Sequence, residues 1–189
     1  MIMGTDTASD QDPGAASGDE PAAGGPGLPV SEGLGIKADG TWTYEGTAIR
    51  RLPLVRLFAS VLRREGDRFW LVTPVERVEI LVEDAPFVAV ELEASGAGDA
   101  RQLRLRTNLD QWVEVGEAHP LRVRPPAHPD VGDAELVPYV LVRDGLEARL
   151  LRAVYYELVE LGGEAAVDGR PRFGVWSRGR FFPLDAAST

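Results

Sequence analysis

The residues with chemical reach are few. The two imidazoles, His119 and His128, lie nine positions apart. Neither has a second histidine at the four-residue helical spacing that zinc hydrolases use. His128 stands one residue after Pro126–Ala127 and directly before Pro129, and reads as a solvated loop residue. His119 precedes Pro120, which holds it in extended backbone at the start of a strand. An imidazole there can carry a proton or touch a ligand; it can also be a hydrogen-bonded structural residue. The chain has no cysteine, so it has no thiolate nucleophile, disulfide framework, iron–sulfur cluster or cysteine zinc site. The sequence GVWSRG at 174–179 fails as a serine-hydrolase elbow. Its glycines do not flank Ser177 evenly, and it runs from strand to strand where an elbow runs from strand to helix. No glycine-rich phosphate loop follows a strand. No catalytic residue, metal ligand or cofactor is therefore assigned.

Charged residues offer more. Glu76, Glu79, Glu83, Asp84, Glu91 and Glu93 alternate with apolar residues, and Arg104, Arg106, Arg122 and Arg124 follow on later strands. Cross-strand ion pairs between the two groups need no ligand and contribute about 0.2–1 kcal/mol each. The sharper reading is a basic patch whose guanidinium forks match a phosphate or carboxylate. Arg143 and Asp144 stand at an expected strand-to-helix junction, where free N–H groups can hold an anion unless Asp144 caps them itself. Asp84, His119, Arg122, Tyr139 and Arg143 form the candidate ligand-binding set. The function expected is a binding or regulatory module for a small anionic ligand or a protein partner. The alternative is a small acid–base enzyme using His119 with a nearby carboxylate such as Asp84.

The elements that would position these residues follow from periodicity. Residues 139–161 read as a strand, a break and a long helix. Asp144 and Glu147 resemble a capping box, Leu150, Val154, Tyr155 and Leu158 share an apolar face with Ala148, and Gly162-Gly163 offers a left-handed stop. Tyr155 is expected in the core and Tyr156 in solvent, since adjacent helical residues point about 100° apart. A shorter helix is expected over 54–62, closed by Gly66. Strands are expected at 68–73, at 77–83 returning over Asp84-Ala85-Pro86 to 87–93, then at 101–107, 111–115 and 121–124. Residues 125–133 read as a loop. A hairpin is expected at 41–50, and another at 172–184.

Each half thus carries one amphipathic helix and four or five strands. The expected fold is α+β: two related units, 34–97 and 98–185, each with its helix on a mostly antiparallel sheet and both sharing one core. Residues 1–33 are rich in Gly, Ala, Pro, Ser and Asp and read as a disordered tail; 186–189 read as a short second tail. Of the 30 acidic residues six precede residue 34, with no basic residue among them, so 24 acids face 20 bases in the rest of a chain of net charge −10. That balance argues against nucleic acid. No apolar run approaches the roughly 20 residues a membrane span takes, and the N-terminus lacks the basic and apolar regions of a signal peptide. A cytoplasmic location is expected, with no membrane partner and the oligomeric state open.

The strings TPVERVEILVEDAPFVAVELE, HPLRV, PYVLVRDGLEARLLRAVYYELVEL and GVWSRGRFFPL resemble a bacterial family known as domain of unknown function number 1285. The resemblance runs from about Gly35 to Leu184. It implies a small α+β protein of two repeated motifs and a part in signal transduction, and it supplies no catalytic residues.

Overall fold

Strands, five of whose connections are two-residue turns, build most of the described chain. The computed structural model describes residues 33–127 and 136–185. The first sheet takes β1 (Leu34–Ile36), β2 (Trp42–Tyr44), β3 (Thr47–Ala48), then, after helix α1 (Leu52–Ser60), β4 (Leu62–Glu65), β5 (Arg68–Val72) and β6 (Arg77–Val82). Its order is β3-β2-β1-β6-β5-β4, and its two hairpin systems join through the parallel pair β1–β6. The second sheet takes β7 (Phe87–Ser95), β8 (Gln102–Thr107), β9 (Trp112–Glu114), β10 (Leu121–Arg124), β11 (Val137–Arg143) and β12 (Leu146–Leu150). Its order is β10-β11-β12-β7-β8-β9, with the parallel pair β12–β7 at its centre. Helix α2 (Arg152–Glu160) follows, and β13 (Gly163–Val167), β14 (Arg170–Ser177) and β15 (Arg180–Pro183) form a three-stranded meander. One apolar cluster spans both halves, from Ile36 and Trp42 to Phe182 and Leu184.

Helix α2 is shorter than periodicity predicts, and α1 keeps its expected length but lies two residues earlier, ending at Ser60; in both cases a strand takes residues expected to be helical. Asp144 does not cap a helix. It and Gly145 both take positive φ, 43° and 75°, and turn β11 back into β12. This is the geometry of a two-residue hairpin whose twist suits antiparallel strands. Leu146, Ala148 and Leu150 then alternate inward along β12. Glu147 turns toward Arg124 rather than toward a helix N-terminus. Helix α2 begins only at Arg152, with Leu151 as an N-cap that makes no side-chain hydrogen bond. In the same way Leu62, expected in the first helix, opens β4 and pairs with Leu71, and Gly66 turns β4 into β5. Leu62 is fully buried in its strand, so a strand serves its apolar side chain as well as a helix turn would.

Other details differ. Helix α2 closes on Leu161 in right-handed geometry, not on a left-handed glycine. Gly162 is required by space: a Cβ there would sit 2.3 Å from the Phe173 ring. β13, not foreseen, follows at once. β6 and β7 do not pair with each other; β6 pairs with β1 and β5, and β7 with β8 and β12. The chain changes sheet at residues 83–86, so position 97/98 falls between β7 and β8 within one sheet. A register shift between Ala89 and Glu91 puts Phe87, Val88 and Ala89 all in the core and leaves Val90 and Leu92 half-buried. Leu103 and Leu105 are buried as expected, and Arg104 and Arg106 pair with Glu93 and Glu91 across the hairpin. The tails at 1–32 and 186–189 and most of the loop with His128 lie outside the described residues.

Candidate functional site

A buried carboxylate organises the region where the two halves meet. Asp84 lies at the passage from β6 to β7, with its side chain wholly enclosed. A lone carboxylate in such a place would be costly, so its partners matter. The Tyr139 hydroxyl donates to Asp84 at 2.8 Å, the Ala127 N–H donates to Oδ1 at 3.0 Å, and Arg149 reaches Oδ2 at 3.4 Å. Arg124 stands 3.9 Å from Oδ1, bonds Glu147 at 2.8 Å and lays its guanidinium 3.6 Å from the Tyr139 ring centroid. Register brings these groups together: Arg124 faces Val137 and Tyr139 faces Arg149 on adjacent strands β10, β11 and β12. Burial first, and then the Asp84 carboxylate, push the Tyr139 phenol well above its ordinary pKa.

Arg124 links this buried cluster to an open cleft of about 560 Å³. Arg64, Arg122, Arg124 and Arg172 line it, together with Glu147 and Asp185. Three of the arginines are partly committed. Arg64 donates to the carbonyls of Gly66 and Gly145, Arg124 pairs with Glu147, and Arg172 bonds Asp185 at 2.7 Å. Burial opposes ionisation of Asp185, but Arg172 and the Phe173 N–H outweigh it and hold the carboxyl below its ordinary pKa. Arg122 forms no ion pair among the described residues. The cleft can therefore offer guanidinium N–H groups to an oxyanion, with Arg122 as the uncommitted one.

Of the five residues singled out from sequence, Asp84 and Tyr139 come together in the buried cluster, and Arg122 lies in the cleft beside it. Arg143 does not join them. It donates to the last-turn carbonyl of α1 at Ala59 (2.6 Å) and to Gln111, lies over the Phe87 ring, and lines a separate hollow of about 320 Å³. Burial and the nearby Arg63 lower its pKa. His119 stays apart as well. Its Nδ1 is 3.0 Å from the Leu141 carbonyl, and the ring makes no hydrogen bond to a carboxylate among the described residues. Asp84 spends its oxygens on Tyr139, Ala127 and the arginines, so the pair required for acid–base work is not assembled. Ser177 is buried, donating to the Val115 carbonyl and accepting from the Leu103 N–H, which ties β14 to the second sheet. Tyr155 packs on the core and Tyr156 is exposed. No group of His, Asp and Glu among the described residues could hold a metal ion, and no helix among them is long and apolar enough to cross a membrane.

Sequence reasoning missed Arg149, Glu147, Arg64 and Arg172. The first two were hidden because the expected long helix runs through both positions; the Asp144-Gly145 dipeptide is the signal that places them on a strand.

Comparison with known proteins agrees with the division between the sheets. Residues 26–85 match the model described as "Domain of unknown function (DUF1285), N-terminal domain", and residues 86–184 match "Protein of unknown function (DUF1285), C-terminal domain". The chain is similar to the crystal structure of a DUF1285 family protein from Silicibacter pomeroyi DSS-3, at 45% identity and TM-score 0.71, over 86% of this chain and 90% of that one. It is also similar to one from Shewanella baltica OS155, at 30% identity and TM-score 0.51, over 67% of this chain and 90% of that one. No curated protein matches. With both domain models matched in order along nearly all of the described chain, the protein belongs to the DUF1285 family.

Proposed function

We propose that the protein is a binding module that takes a small phosphorylated or carboxylate ligand in the arginine-lined cleft. The observation that carries this reading is Arg122, a guanidinium without a carboxylate partner among the described residues, in a cleft with three further arginines. The chain as a whole is acidic, with net charge −10, so attraction to anions here is local and depends on the geometry of the cleft. Arg124 is held by Glu147, Tyr139 and Asp84, which fixes one wall before any ligand arrives.

The same reading covers a regulatory role in the cytoplasm, in signal transduction, with an acidic or phosphorylated protein as the second class of partner and nucleic acid excluded. It treats the halves as related units. Each contains the run hairpin, helix, three-stranded meander, and each helix turns two apolar residues fully inward, Val55 and Ala59 in α1, Val154 and Leu158 in α2. The acid–base alternative receives no support from His119, which is engaged with Leu141.

A thermal-shift panel of phosphorylated and polycarboxylate metabolites tests the proposal. Stabilisation by some members is expected in the wild type and is expected to vanish in Arg64→Ala/Arg122→Ala. Arg104, which pairs with Glu93 on another hairpin, serves as the control position. A panel without any stabilising member, or equal responses in wild type and double variant, contradicts it.

A further inference from the structure

We propose that a second hollow, between α1 and the first sheet, binds a small organic cation with an apolar body. This hollow has a volume of about 470 Å³ and shares no residue with the arginine cleft. Its walls are Leu34, Ile49, Leu54, Phe58, Leu71 and Val78. Helix α1 turns only Val55 and Ala59 fully into the core, so Phe58 is left half-buried, stacked on Trp42 with ring centroids 6.0 Å apart. The size and apolar walls match sites that take small molecules.

The polar groups at the rim define the ligand's charge. They are Tyr44, Thr73 and Glu76. The Thr73 hydroxyl is occupied, donating to the Glu76 carbonyl at 3.1 Å and accepting from the Glu76 N–H at 3.0 Å. Glu76 has no ion-pair partner among the described residues, although arginines stand close in sequence. Arg77 is taken by Glu65 at 2.5 Å and by the Trp70 ring, and Arg68 reaches Glu79. An unneutralised carboxylate and an exposed tyrosine ring at the mouth of an apolar hollow attract an ammonium group, the first by charge and the second by its ring quadrupole. A fatty carboxylate of the same shape would meet Glu76 as a like charge.

Octylamine, octanol and octanoate, titrated calorimetrically into the full chain, separate these chemistries. Octylamine is expected to bind about two- to fivefold tighter than octanol, as an exposed ion pair allows, with octanoate weakest. Glu76→Gln is expected to erase the amine's advantage and leave octanol unchanged. Leu54→Trp, which fills the hollow, is expected to abolish binding of all three while the circular dichroism spectrum stays that of the wild type. Octanoate binding as tightly as octylamine, an amine preference surviving Glu76→Gln, or no binding by any of the three would overturn the proposal. So would a self-associated species in sedimentation that octylamine fails to dissociate, since a second copy would then own the surface.

Discussion

Asp84 holds three elements through one carboxylate: the β6–β7 passage, the backbone at Ala127, and β11 through Tyr139. Its removal strands a buried hydroxyl, a backbone N–H and the half-enclosed Arg149. Asp84→Ala is expected to cost about 3–5 kcal/mol, and Tyr139→Phe, which removes one hydrogen bond to a charged acceptor, about 1.5–3 kcal/mol. Urea unfolding midpoints check both. The phenol adds a pH dependence. Because its pKa is raised in the fold, the stability it contributes is complete below about pH 10 and is lost as pH rises through the folded value. The stability gap between wild type and Tyr139→Phe should therefore narrow above pH 10; a constant gap from pH 8 to pH 11 would show that the phenol does not ionise differently in the fold. Asp84, Tyr139 and Arg122 were legible as residues with chemical reach. Their association was not, because contact between Asp84 and Tyr139, 55 positions apart, depends on strand order, which local pattern does not encode.

The elements show where periodicity misleads. Ala148 and Leu150 fall at the two edges of the wide apolar helix face continued into α2, and together with Leu146 they also satisfy a strand's alternation. The Asp144-Gly145 turn decides between them, because positive φ at both positions ends helix propagation and starts a hairpin. Gly145→Ala should then cost about 1–2 kcal/mol, the penalty of a side chain in left-handed backbone. A helix running through residue 145 would instead be stabilised by alanine, so the sign of the change separates the two. The strands at 77–82, 102–107 and 121–124 were legible because each has a buried face and an exposed one. Leu158, fully buried in α2, keeps its expected role; Leu158→Ala should leave a cavity and cost about 2–5 kcal/mol.

At the scale of the molecule, the two six-stranded sheets do not act as separate bodies. Arg143 of the second sheet bonds the end of α1, Arg64 of the first bonds Gly145, and Arg56 of α1 bonds Leu109. The apolar cluster is continuous across them. Far-ultraviolet dichroism and tryptophan fluorescence should report one coincident unfolding transition, and two separated midpoints would contradict a shared core. The arginine cleft lies at the same junction, lined by Arg64 of the first half and by residues of the second, so the proposed anion binding would draw on both halves. Calorimetric titration of the full chain with citrate and with inorganic pyrophosphate tests this claim most directly. At least one should bind to the wild type, about tenfold more weakly to Arg122→Gln, as the loss of one charge-assisted hydrogen bond requires, and unchanged to Arg104→Gln. No heat of binding, or equal weakening in the two variants, would contradict the anion-binding cleft.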